Sequence, residues 1–206
     1  MSAPGSTTAL REGTFDNLQL NAGLFLKNFT YNSITDAGAL KTALATAIAA
    51  GDDILGATSG GGTFTVTREM RTPELDGMRY GFKGSDFVDS VDAYLSTTLK
   101  EVTPDNFAAA LGTGVATTSG KKTTVTMNTA IAKSNYLTNL VWVGDLADGR
   151  LVMISLFNAI NTADLTFTFA DKNEGTLSVE FHARQASVDD YDEAPFEVIF
   201  FDKAST

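Results

Sequence analysis

The chain contains no cysteine in its 206 residues, so no disulfide supports its fold and no thiolate metal site is available. Histidine occurs once, tryptophan once and proline four times. A nucleophile–base pair needs an available base, and the lone His182 falls on the polar side of TLSVEFHA, opposite Phe181. It is expected to face solvent rather than to do catalysis. No run of about 18 apolar residues is present, so no membrane-spanning helix is expected. The opening MSAPGSTTALREG lacks a basic start followed by an apolar stretch and does not read as a secretory signal, which leaves synthesis and assembly in the cytosol as the expectation. Cations are also scarce: 15 Lys and Arg stand against 25 Asp and Glu, a formal net charge of −10. Proteins that grip nucleic acid gather cations to neutralise phosphates, and this chain does the reverse. An acidic surface keeps copies soluble.

Hydrophobic residues make up 43% of the chain, with 18 Gly, 14 Phe and abundant Thr, a mixture suited to pleated, half-buried surfaces broken by turns. Residues 1–14 are small and polar and are expected to form a flexible arm that orders against a neighbour. Gly23 to Thr30 reads as a buried first strand. Thr35 or Asp36 caps a helix in which Ala37, Leu40, Leu44, Ala47 and Ile48 form a core-facing stripe, ended by Gly51. After the glycines at 60–62, TFTVTRE alternates, with Phe64 and Val66 opposite Thr63, Thr65 and Thr67. Met70 to Gly84 reads as a long hairpin loop. Ser90 to Val102 is the clearest strand: Val91, Ala93, Leu95, Thr97 and Leu99 face the core, and Ser90, Asp92, Tyr94, Ser96, Thr98 and Lys100 face water. Thr103 and Pro104 start a short helix closed by Gly112. Thr113 to Gly120 reads as a small-residue turn region. Strands are expected over Lys121–Met127, Leu137–Val143 and Arg150–Phe157, the last central. A hairpin turns at DKNEG, with Phe167, Phe169, Leu177, Val179 and Phe181 inward. Phe196–Phe201 is the last strand, and Trp142 in LVWVG reads as buried. The whole predicts a mainly β, antiparallel sandwich or barrel with a flanking α-helix and one short helix, in a single domain over residues 15–206.

Chemistry-bearing patterns are weak. GGG at 60–62 lacks the Lys-Ser/Thr of a phosphate loop and precedes a strand, which points to a bulge or a close backbone approach. DKNEG has its glycine one place too early for a calcium loop. Asp86, Asp89 and Asp92 would share a helix face, but on a strand Asp89 points away from the other two. Asp189, Asp190, Asp192 and Glu193 form a charged turn. Asn28-Phe29-Thr30 fits a glycosylation acceptor, which a cytosolic chain would not use. No catalytic residue, cofactor or metal is expected.

Five segments stand in a specific order: LGATSGGGTF; REM…ELDG…KG; TLKEVTPDNFAAALG; NLVWVGDLADGRLVMISLFNAI; and DKNEGTLSVEF…APFEV. Together they resemble the major tail tube protein of long-tailed, siphovirus-type bacteriophages, over about Leu20 to Phe201. The helix between Asp36 and Asp53 and the turn Arg184 to Ala194 depart from that pattern. The resemblance implies the phage tail tube fold, a β-sandwich subunit that self-assembles into stacked hexameric rings. It also implies a virion-tail location after assembly in the host bacterial cytoplasm, with tape measure, tail terminator and distal tail proteins as partners. DNA would pass through the lumen without specific binding. On that basis Ser90, Asp92, Tyr94, Ser96 and Thr98 are candidate lumen-lining residues. Arg71, Glu74, Asp76, Arg79 and Lys83 are candidate inter-ring contacts. The alternatives are the inner tube of a contractile tail or injection system, and an adhesive carbohydrate-binding β-sandwich.

Overall fold

The structure, a computed structural model, describes residues 13–51, 53–190 and 192–203. The N-terminal arm foreseen over 1–14 therefore lies, up to residue 12, outside the described residues. In chain order the elements are β1 (Leu24–Lys27), α1 (Ala37–Ala50), β2 (Thr58–Arg71), β3 (Phe87–Leu99), α2 (Pro104–Ala110), β4 (Gly114–Ser119), β5 (Lys122–Met127), β6 (Leu137–Asp145), β7 (Leu151–Asn161), β8 (Thr166–Ala170), β9 (Asn173–His182) and β10 (Phe196–Phe201). The protein is mainly β, every strand pair is antiparallel, and the arrangement fits a β-sandwich.

One sheet runs β1-β6-β7-β10 and a second runs β2-β3-β9-β8. Strand β7 belongs to both. Leu151–Leu156 pair with β10, the same stretch pairs with β6, and Ile160–Asn161 pair with His182–Phe181 of β9. The first sheet is buried on both faces, because neighbours along its strands point opposite ways. Phe25, Leu140 and Leu156 meet Leu95, Leu99, Leu177 and Phe181 of the second sheet. Leu26, Val141, Met153 and Leu151 meet Leu40 of α1 and Phe201 instead. Two-sided burial explains why LVWV and LVMISLF are apolar nearly throughout. Each fully buried Leu or Phe here stabilises by about 1.5–3 kcal/mol.

Local signals set the helices. The Asp36 carboxylate accepts from Ala39 N at 2.9 Å, and Gly51 ends α1 at φ 78°. Thr103 caps α2, and Asn106 fastens it by donating to the Leu55 and Glu101 carbonyls at 3.0 and 3.1 Å. The glycine triplet does form a bulge: the register of β2 against β3 shifts between Ser59 and Gly62, and Thr97 donates to the Gly61 carbonyl at 2.7 Å.

Several expectations are corrected. Val91 is 48% exposed, because β3 outruns its partner β9, and their pairing stops at Tyr94 and His182. Phe169 is 77% exposed at the end of edge strand β8, where the register shifts beyond the core. Thr113–Gly120 is not a turn region. Gly114–Ser119 is strand β4, paired to β5 around Gly120 and Lys121, as runs of β-branched Thr favour. Ile48 leaves the core stripe and is 54% exposed, since α1 is buried at its Ala37 and Leu40 end. The hairpin loop spans 72–86 rather than 70–84, with Met70 and Arg71 still in β2. Strand β3 starts earlier and ends earlier than expected, and Trp142 is half-buried, donating from Nε1 to the Ala22 carbonyl at 2.9 Å.

Candidate functional site

Alternation along the second sheet places Ser96, Thr98, Tyr94 and Asp92 of β3 on the face away from the core. Their cross-strand partners share that face: Thr63, Thr65 and Thr67 on β2, and Ser178, Glu180 and His182 on β9. Thr166 and Thr168 extend it across β8. The result is a surface of small hydroxyls. Ser90 lies farther out, where its hydroxyl donates to Glu69 at 2.9 Å. All five residues singled out as lumen-lining thus lie on one side of β3, Tyr94, Ser96 and Thr98 where β9 pairs with it, and Asp92 and Ser90 beyond that pairing.

The cations along this face are neutralised. Arg71 meets Asp89 at 2.7 Å, Lys100 meets Glu174 at 2.9 Å, and Arg184 meets Asp92 at 3.2 Å. The Lys100 hydrogen bond holds the Glu174 carboxyl below the usual carboxylate range. His182 is not the open side chain expected from its polar position, with only 12% of its side chain exposed. Its Nδ1 lies 2.7 Å from Asp92 and its Nε2 3.0 Å from Glu180, and its ring stacks on Tyr94 at 4.9 Å. Both ring nitrogens are thus engaged by carboxylates rather than by a hydroxyl.

The second feature is a ribbon. Beyond Val66 and Ala93, β2 and β3 continue as a two-stranded arm for roughly 17 Å, with the loop 72–86 at its end. Val66 and Met70 extend the side of β2 that carries Phe64, and Val91 and Val88 stand across from Arg68 and Met70. All four apolar residues are exposed. The loop adds Leu75, Tyr80 and Phe82, the last two 84% and 68% exposed. Of the residues singled out as inter-ring contacts, Arg71 sits in β2, 5.5 Å from the Phe87 ring centroid. Glu74, Asp76, Arg79 and Lys83 are exposed in the loop, and none forms an ion pair among the described residues. Sequence reading recognised the loop but missed the apolar stripe leading to it. The available signal was an alternation in β3 longer than any partner strand on its other side.

The three aspartates of the 86–92 segment go separate ways: Asp86 to Thr72, Asp89 to Arg71 and Asp92 to His182. Of DKNEG, Asp171 and Lys172 make the turn between β8 and β9, and Asn173 to Gly175 already belong to β9. Among the described residues no group of three or more His, Asp or Glu side chains is placed to hold a metal, and no helix is long and apolar enough to cross a membrane. A groove of about 580 Å³ opens between α1 and the β1/β6 edge, lined by Leu24, Leu44, Ile48, Val143 and Leu151.

No known protein-family pattern matches the chain, and no curated protein sequence is similar to it.

Proposed function

We propose that this chain is the structural subunit of a phage tail tube, assembling into stacked hexameric rings around a channel through which DNA leaves the virion. The observation that carries the reading is the ribbon beyond Val66 and Ala93, whose apolar residues stay exposed among the described residues of one copy. A monomer that bares Val66, Met70, Val88, Val91, Tyr80 and Phe82 together is built to bury them on something else.

Two further features support it. Strand β2 is 14 residues long and has β3 as its one partner among the described residues, leaving its outer edge open. Such an edge invites aggregation unless it is paired. At the other side of the same sheet, β8 is a second, shorter edge. Joining β2 of one copy to β8 of the next is a head-to-tail contact that closes into a ring when the rotation fits. The hydroxyl face of the joined sheets would then be continuous and turned to the bore. Among the described residues its cations Arg71, Lys100 and Arg184 are tied to carboxylates, which weakens their pull on phosphates. A lasting contact of this kind buries more than about 1,000 Å².

Negative-stain electron microscopy of the purified protein tests the reading. Rings or tubes are the expected outcome. A monodisperse monomer that binds glycans would replace it with the adhesive reading.

A further inference from the structure

The ribbon ends in Arg79-Tyr80-Gly81-Phe82-Lys83, two exposed rings flanked by two cations on a protein of net charge −10. Arg79 and Lys83 take part in no ion pair among the described residues. This tip presents aromatic surface and positive charge in one place.

The groove beneath α1 has an apolar floor and a carboxylate on one rim. Its floor is Leu24, Leu44, Ile48, Val143 and Leu151. At about 580 Å³ it lies within the range of roughly 300–1,000 Å³ that accepts ring-sized groups. Asp145 stands on one rim, its carboxylate accepting from the Asn21 amide and from no cation among the described residues. Lys41 stands on the helical rim, also without an ion pair there. The rim thus offers one charge of each sign, and the loop offers two of each, Arg79 and Lys83 beside Glu74 and Asp76.

Tip and groove sit at opposite ends of the molecule. The groove residues Ala22 to Leu24 abut the start of β2: a Cβ placed on Gly61 would come within 3.8 Å of the Ala22 side chain, and one on Gly62 within 2.5 Å of the Phe25 ring. The tip leaves the far end of the same strand, nine residues and roughly 30 Å on. The two cannot meet within one copy.

We propose that Tyr80 and Phe82 of one copy seat in the groove beneath α1 of a second copy. This rests on the assembly reading above and names the receiving surface. The contact joins unlike surfaces at opposite ends, so it repeats in one direction without closing, as the stacking of rings requires. Each ring carries about 150–250 Å² of apolar surface into the contact. Arg79 or Lys83 pairs with Asp145, and Lys41 faces the loop carboxylates.

The absence of cysteine gives a direct test. The double variant Phe82→Cys with Ile48→Cys is treated with a short thiol-reactive crosslinker and run on a denaturing gel, beside each single variant and micrographs of the same samples. A ladder of multimers from the double variant, with neither single variant passing dimer, supports the proposal. Dimer alone from the double variant overturns it in favour of a symmetric contact. No crosslinking in a sample that forms tubes overturns the groove and leaves the tube reading standing. A ladder from particles that are not annular keeps the groove contact and overturns the tube. Neither ladder nor tubes overturns both. As a second variant, Ile48→Asp changes an exposed residue and is expected to keep the parent melting curve while yielding unstacked rings. Parent-like tubes from Ile48→Asp would overturn the proposal.

Discussion

Asp92 and His182, 90 residues apart in sequence, meet at 2.7 Å across the β3/β9 pair, and Arg184 reaches the other oxygen of the same carboxylate at 3.2 Å. The Asp92 side chain is 40% exposed, so solvent screens both contacts. Asp92→Ala is expected to destabilise the subunit by about 1 kcal/mol or less, read as a lower urea midpoint with an unchanged slope. A loss of several kcal/mol would mean that the carboxylate is buried in the assembled or free protein.

Charge reversal at the same position tests the proposed channel. Asp92→Lys puts an ammonium beside Arg184 on the hydroxyl face. Tubes should still form, but DNA release should slow at low salt and recover as salt is raised, since phosphate contacts are screened. Release at the parent rate across all salt concentrations would show that this face does not line the DNA path.

Gly62 tests the packing between the sheets. A methyl there would lie 2.5 Å from the Phe25 ring and 2.9 Å from the Ser96 carbonyl. Gly62→Ala is expected to cost about 1–3 kcal/mol through forced displacement of Phe25, measured by thermal or urea unfolding. A neutral outcome would mean that β1 moves aside freely.

Tyr31 links the base of β1 to β7 and β10. Its hydroxyl donates to Glu197 at 2.5 Å and pairs with the fully buried Ser155 hydroxyl at 2.9 Å. Burial, then the Glu197 hydrogen bond, pushes the phenol well above its ordinary value of 10.0. A tyrosine raised in this way favours the folded state in its neutral form. Its contribution is complete below about pH 10 and is lost as pH rises from there toward the folded value. Tyr31→Phe should cost about 1–3 kcal/mol at neutral pH by leaving Ser155 and Glu197 without this partner, and should flatten the alkaline decline in stability. An alkaline decline as steep as the parent's would assign it to other groups.

The ribbon can be shortened without touching the core. Replacing residues 72–86 by Asn-Gly joins Arg71 to Phe87 through a tight hairpin turn. The variant should melt within about 1 kcal/mol of the parent, because the loop is exposed and its closure entropy falls. It should form no tubes. Tubes of parent length would remove the loop from the assembly reading.

The elements that the sequence disclosed are those with local causes. Asp36 and Gly51 bracket α1 through a cap and a left-handed turn, both short-range. The alternation Ala93, Leu95, Thr97, Leu99 follows from one face packing on the first sheet. What the chain did not disclose depends on where partners end. Val91 continues the pattern of Leu95, yet it is bare because β9 stops pairing at His182, and nothing near residue 91 encodes that. Ile48 keeps helical spacing with Leu40 and Leu44, but the sheet edge beneath it stops short and leaves a groove. Gly114–Ser119 was hidden by small residues, its strand character supplied by Thr117 and Thr118 opposite Thr124 and Thr123. His182 looked open because the residues that cover it, Asp92 and Tyr94, come from another strand.

Strand β7 is hydrogen-bonded to β6, β10 and β9. Neither layer can slide against the other without tearing this shared rail, so shear is resisted throughout the body of the subunit. Bending is left to the bare ribbon, where backbone amides should exchange with deuterium long before those of Val152 to Leu156. The molecule is a stiff block with one compliant finger, and in the proposed assembly strain from a neighbouring copy would be absorbed there.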